Sequence, residues 1–129
     1  IKAFKEMNVK KIVLFTPYPE SVNKTILEYF NRKNINIISF STFNIDLDED
    51  IASVDPEYLL ETLIKLNISD ADALFVSCTA LPTLPIIDKL EKKLNKVVLS
   101  SNQALIWDTL EKIGKNDSIK GFGKLFNSN

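Results

Sequence analysis

The sequence predicts an α/β fold in which a four-stranded parallel sheet lies between two layers of helices. Three observations carry that expectation. Apolar runs and amphipathic stretches alternate four times with short linkers, a pattern that closes into a parallel sheet through right-handed crossovers. The apolar runs are nearly continuous, as in strands covered on both faces. Polar residues gather just behind those runs, where the carboxyl ends of parallel strands meet ligands. A chain of 129 residues suits one domain, residues 1–129, able to bury about two-thirds of its unfolded surface.

The elements follow in order. Phe4 to Asn8 read as the exit of a helix, and Lys11–Thr16 as the first strand, ended by Pro17 and Pro19. Glu20 to Asn31 carry Val22, Ile26, Leu27 and Phe30 at helical spacing, opened by Pro19 or Ser21 with Glu20 in the first turn. Ile35 to Phe43 form the second strand. Asn44 to Ser53 are polar and acidic and read as a loop with a short turn; without the glycine and final glutamate of a calcium loop, they suit an acidic surface or ligand loop better. Asp55-Pro56 is a helix start, with Asp at the cap and Pro at the first position, followed by an apolar face of Tyr58, Leu59, Leu63, Ile64 and Leu66. Ala71 to Ser77 form the third strand.

Leu84 to Leu94 are expected to be a helix with Ile86, Ile87, Leu90 and Leu94 on the sheet and Lys89, Glu91, Lys92 and Lys93 in water. Lys96 to Leu99 form the fourth strand. After the polar junction Ser100–Gln103, a last helix runs from Ala104 to Ile113, its apolar face made by Leu105, Ile106, Trp107 and Leu110, and Gly114 stops it. The tail from Lys120 to Phe126 is apolar and glycine-broken, suited to docking on this domain or on a neighbour.

Strand order 2-1-3-4 is expected, which makes the domain flavodoxin-like and puts the switch point between strands one and three. Thr16–Tyr18 and Ser77–Thr79 then face one crevice. Composition narrows what can bind there. The net charge is −1, from 16 basic and 17 acidic residues, and no basic cluster suggests nucleic acid. The three glycines lie far from the first strand–helix turn, so neither a dinucleotide cradle nor a P-loop is present. There is no histidine, hence neither the usual general base nor the usual zinc ligand. A single cysteine forms no internal disulfide, and no apolar run suits a membrane span or a signal peptide, so the default compartment is cytoplasmic.

Cys78 is the most informative residue. At the tip of the third strand it is placed to act as a nucleophile or proton carrier; the competing reading is a core cysteine, a common fate for this residue type. The other tips have similarly double readings. Tyr18 is a ligand contact or a surface aromatic beside a proline turn. Thr79 is a ligand contact or the cap of a helix starting near Leu81, and Ser101 or Asn102 a ligand contact or a cap. Together, hydroxyls and amides at four tips favour a small anionic ligand.

The segments Thr16-Pro-Tyr18, Phe75-Val-Ser-Cys-Thr-Ala-Leu81, Ser100-Ser-Asn-Gln-Ala104 and Gly121-Phe-Gly-Lys-Leu125, in this order and spacing, resemble the maleate isomerase branch of the aspartate/glutamate racemase superfamily. The resemblance runs from about Met7 to Phe126 and is to the C-terminal of two similar domains that face each other across a cleft. It implies a cofactor-independent isomerase of a small dicarboxylate, requiring no metal, with Cys78 as the thiolate that adds to a double bond opposite a cysteine of the other domain. It further implies that Tyr18 contacts a substrate carboxylate and that the backbone amides of Thr79 and Ala80 bind the other. Asn102 is carried as a substrate contact from its place at the fourth tip. Racemases and arylmalonate decarboxylases of the same superfamily imply proton transfer at carbon instead. A non-catalytic carboxylate-binding or assembly domain is the third possibility.

Two departures from the family pattern stand out. Where the isomerases carry an asparagine, this chain places Asp48, whose charge would repel a dianion. The first-domain cysteine is absent from these residues. Since the chain starts with Ile1, the expectation is one part of a longer protein whose N-terminal domain completes the site. The alternative is a free-standing domain that pairs with a second subunit or with itself as a homodimer.

Overall fold

The computed structural model describes residues 1–115 and 117–127. Strands β1 (Lys11–Thr16), β2 (Asn36–Thr42), β3 (Ala73–Val76) and β4 (Val97–Ser100) form one parallel sheet in the order β2-β1-β3-β4. The helices are α1 (Lys2–Glu6), α2 (Glu20–Arg32), α3 (Asp48–Ala52), α4 (Pro56–Leu63), α5 (Ile87–Leu94) and α6 (Ser101–Lys112), with 3₁₀ turns at Leu84–Ile86 and Lys124–Asn127. This is the expected three-layer, flavodoxin-like architecture.

Period-two alternation along the inner strands divides the core. Val13, Phe15, Leu74, Val76 and Val98 pack against Ile51, Leu59, Leu60, Leu63, Ile87 and Leu90 from α3, α4 and α5. Ile12, Leu14, Ala73, Phe75 and Leu99 pack against Ala3, Phe4, Phe30 and Trp107 from α1, α2 and α6. Asn8, Asn34 and Asn95 take left-handed φ of 54°, 57° and 50° just beyond α1, α2 and α5, a conformation asparagine tolerates better than other side-chain-bearing residues.

Several expectations need correction. The second strand is a half-exposed edge rather than a buried apolar run; its pairing with β1 shifts between Ile12 and Val13, and Ile38 turns outward. The short turn expected in the acidic loop is present as α3, fixed by buried Ile51. On α4, Leu60 is buried while Tyr58 is exposed and stacks on Phe43. The Asp55 side chain caps α4 by accepting from the Tyr58 N–H at 2.9 Å, as its sequence position foretells.

Glu91 does not face water. Its carboxylate accepts the Val98 N–H of edge strand β4 at 3.0 Å and the Lys124 N–H at 2.8 Å, satisfying donors that would otherwise be stranded. Helix α6 begins at Ser101, three residues earlier than expected, because Ser100 and Gln103 form a capping box. That phase turns Gln103 and Trp107 inward and leaves Leu105 and Ile106 exposed. The tail docks on this domain: Leu125 and Phe126 are buried in the α1/α2/α6 layer.

Candidate active site

The site is built where β1 and β3 end side by side. Phe15 is paired with Val76, and the Ser77 N–H donates to the Phe15 carbonyl at 2.9 Å, so Thr16-Pro17-Tyr18 and Ser77-Cys78-Thr79 leave the sheet as neighbours. Proline at position 17 cannot extend the ladder, and the chain turns out of the sheet there. The Tyr18 carbonyl accepts from the Asn23 amide and from the Thr42 hydroxyl, each at 2.6 Å. These two residues fix the turn that presents the Tyr18 ring.

Cys78 is 3% exposed and belongs to the α4/α5 core layer, and its sulfur accepts a backbone hydrogen bond. The Ala80 N–H donates to Sγ at 3.2 Å. The Tyr18 phenol also meets the thiol. Its pKa is raised above the ordinary tyrosine range, first by burial, then by its hydrogen bond with Cys78 and by the charges of Cys78 and Asp48. Tyr18 therefore keeps its proton at neutral pH and remains a donor. The Ala80 N–H and the Tyr18 phenol thus meet at one sulfur.

The donor on Sγ comes from a loop and not from a helix. Residues 77–83 are irregular, and regular structure resumes only with the 3₁₀ turn at Leu84. Pro82 and Pro85 account for the delay, since each disfavours helical backbone in the residue before it. Thr79 accordingly caps nothing and stands exposed at the tip. Asn102 is not a cap either, that role belonging to Ser100; its amide donates to the Thr79 carbonyl at 2.8 Å. Asp48 is exposed at the start of α3 and bears electrostatically on Tyr18.

The fold therefore brings Tyr18, Asp48, Cys78, Thr79, Ala80 and Asn102 to one end of the sheet. Sequence reasoning missed Asn23 and Thr42. Asn23 continues the inward stripe of Leu27 and Phe30 on α2, and a polar residue on an apolar stripe was the available signal. A concavity of about 450 Å³ lined by Phe4, Ile26, Phe30 and Leu99 lies on the other face of the sheet and reaches this end only at Ser77. Among the described residues, no group of three His, Cys, Asp or Glu could hold a metal, and no helix is long and apolar enough to cross a membrane.

The arylmalonate decarboxylase family matches residues 1–126. The chain belongs to that family. It is 27% identical to a maleate isomerase of Geobacillus stearothermophilus over 126 residues, covering 97% of this chain and 50% of the relative. It is 26% identical to an arylmalonate decarboxylase of Bordetella bronchiseptica over 129 residues, covering 98% and 54%. The solved Nocardia farcinica maleate cis-trans isomerase, a mutant with a covalently bound succinylcysteine intermediate, superposes with a TM-score of 0.93 at 19% identity. That match covers 99% of this chain and 53% of the isomerase, and it establishes likeness of fold. The chain thus spans about half the length of these family relatives.

Proposed function

We propose that these residues form half of the active site of a cysteine-dependent cis-trans isomerase of a small dicarboxylate such as maleate, resembling the C-terminal half of its relatives. The observation that carries the reading is the buried Cys78 sulfur with the Ala80 N–H at 3.2 Å and the Tyr18 phenol as its second donor. Relatives of about twice this length that act as maleate isomerases support it, as does the succinylcysteine of the Nocardia enzyme.

In this reading the Cys78 thiolate adds to one carbon of the double bond. The S–C bond forms as the π pair moves to the neighbouring carbon, where the adjacent carboxylate delocalises it. Rotation about the resulting single bond follows. The pair then re-forms the double bond in the trans sense and expels the thiolate, so no proton or electron is consumed overall. Tyr18 and the Thr79 and Ala80 amides hold carboxylate charge with donors fixed before the reaction begins. The partner half supplies the opposing cysteine and the remaining carboxylate contacts. Asp48 stands against a second negative charge and narrows which dianions enter.

A decarboxylase is the second reading, favoured by the family match and the Bordetella relative. There Cys78 would deliver a proton to the carbanion left by loss of CO₂ from a malonate.

The test is the full-length protein incubated with maleate and followed by proton NMR in D₂O. Appearance of the trans isomer, falling by about a hundredfold or more in Cys78→Ser with its circular dichroism unchanged, is expected. A Cys78→Ser variant that isomerises at the parental rate refutes the role. Loss of CO₂ from an arylmalonate with deuterium entering at carbon, and no isomerisation, selects the decarboxylase.

A further inference from the structure

Resting on the reading of Cys78 as the reacting thiolate, we infer that Asn102 is a positioning residue, and that it acts on Cys78 through the Thr79–Ala80 peptide. Its side-chain amide donates to the Thr79 carbonyl at 2.8 Å, while the N–H of that same peptide unit, belonging to Ala80, donates to the Cys78 sulfur at 3.2 Å. A peptide group is planar, so fixing its oxygen fixes the direction of its N–H. A donor on the oxygen also polarises the group and makes the N–H the stronger donor, as in any hydrogen-bond chain. Asn102, Thr79, Ala80 and Cys78 therefore form one relay that ends on the sulfur.

The relay starts from a firm support. Helix α6 is pinned at its first turn by the Ser100–Gln103 capping box, and the Gln103 amide donates to the Phe122 carbonyl of the tail at 2.7 Å. Asn102, one residue before Gln103, is held in register by both. The loop it steadies, 77–83, has no regular structure of its own. Asn102 itself neither caps α6 nor lies in the core. Its tie to the Thr79 carbonyl also distinguishes it from a residue waiting for substrate.

The experiment measures thiolate absorbance at 240 nm against pH for this chain and for Asn102→Ala and Asn102→Asp, with Cys78→Ser as the blank. Absorbance needs no reagent to reach the buried sulfur, the chain has a single cysteine, and subtracting the Cys78→Ser profile removes the tyrosinate absorbance common to both. Alanine is a good helix former, and aspartate in the first turn suits the helix dipole while removing the donor. Both variants should therefore keep the parental melting temperature within a few degrees. The thiolate profile of Asn102→Ala is expected to move to higher pH, with about a threefold to tenfold smaller thiolate fraction on the rising part of the curve. Asn102→Asp should move further, its charge adding to the lost donor.

If the parental profile differs from that of the chain unfolded in urea and both variants coincide with the parent, the positioning role is overturned and the cysteine reading stands. A parental profile identical to that of the unfolded chain overturns the cysteine reading and the positioning role with it. If Asn102→Ala weakens dicarboxylate binding but leaves the profile of the free protein unmoved, Asn102 is a substrate contact and the relay is refuted.

Discussion

Tyr18 sits at the meeting point of burial, a thiol and a carboxylate, and each of them favours the neutral phenol. The sign of the resulting pH effect is fixed. A tyrosine whose folded pKa is raised stays protonated as the pH climbs, and native stability is lost as the pH rises through that folded value. Phenolate absorbance at 295 nm should therefore show a component that appears later than the rest, and Tyr18→Phe should remove that component. Should Tyr18→Phe remove an early component instead, the burial and hydrogen bonding of Tyr18 described above would be wrong. At this scale the sequence was most legible. Cys78, Tyr18, Thr79 and Ala80 were named from strand tips and family resemblance, and the fold brings them together. Asn23 and Thr42 were not: Asn23 shows only as a polar residue on an apolar stripe, and Thr42 holds a carbonyl on another element, which leaves no local pattern.

Among the elements, the tail turn Lys124–Asn127 is the one whose place depends on single atoms. Glu91 accepts its first N–H, Gln103 grips the Phe122 carbonyl, and Gly123 lies between them at φ +90°. A Cβ at Gly123 would stand 2.5 Å from a methyl of Ile87 and 2.8 Å from the Gln103 amide. Gly123→Ala should cost on the order of 1–3 kcal/mol, from overpacking together with the disfavoured φ, read as a lower urea midpoint at unchanged slope. An unchanged midpoint would mean that the tail does not dock here. The order of elements was legible because periodicity and proline punctuation are local. The outward turn of Leu105 and the inward turn of Glu91 were not. The first follows from a capping box that resets the helix phase, and the second from a backbone donor on another strand.

For the molecule as a whole, Asp72 is a source of acid sensitivity that joins two strands. Its carboxylate accepts the Lys10 and Lys11 N–H groups at 2.9 and 2.8 Å, tying the start of β1 to the segment before β3. Those bonds, more than the nearby lysines, hold its pKa below the usual carboxylate range. A depressed carboxylate contributes stability above its unfolded pKa of about 4 and loses it as pH falls through the folded value. Asp72→Asn should thus be less stable than the parent at pH 7, with the gap closing below about pH 3. A gap independent of pH would remove Asp72 from the acid limb. Glu91, raised chiefly by burial, has the opposite sign and loses stability as the pH rises through its folded value. The solitary thiol offers a view of the same molecule in time. Because Cys78 is 3% exposed, a bulky maleimide is expected to reach its sulfur through excursions of the 77–83 loop or of the whole domain. Its labelling rate therefore clocks the breathing of the native state, and urea dependence of that rate separates a local flicker from global opening.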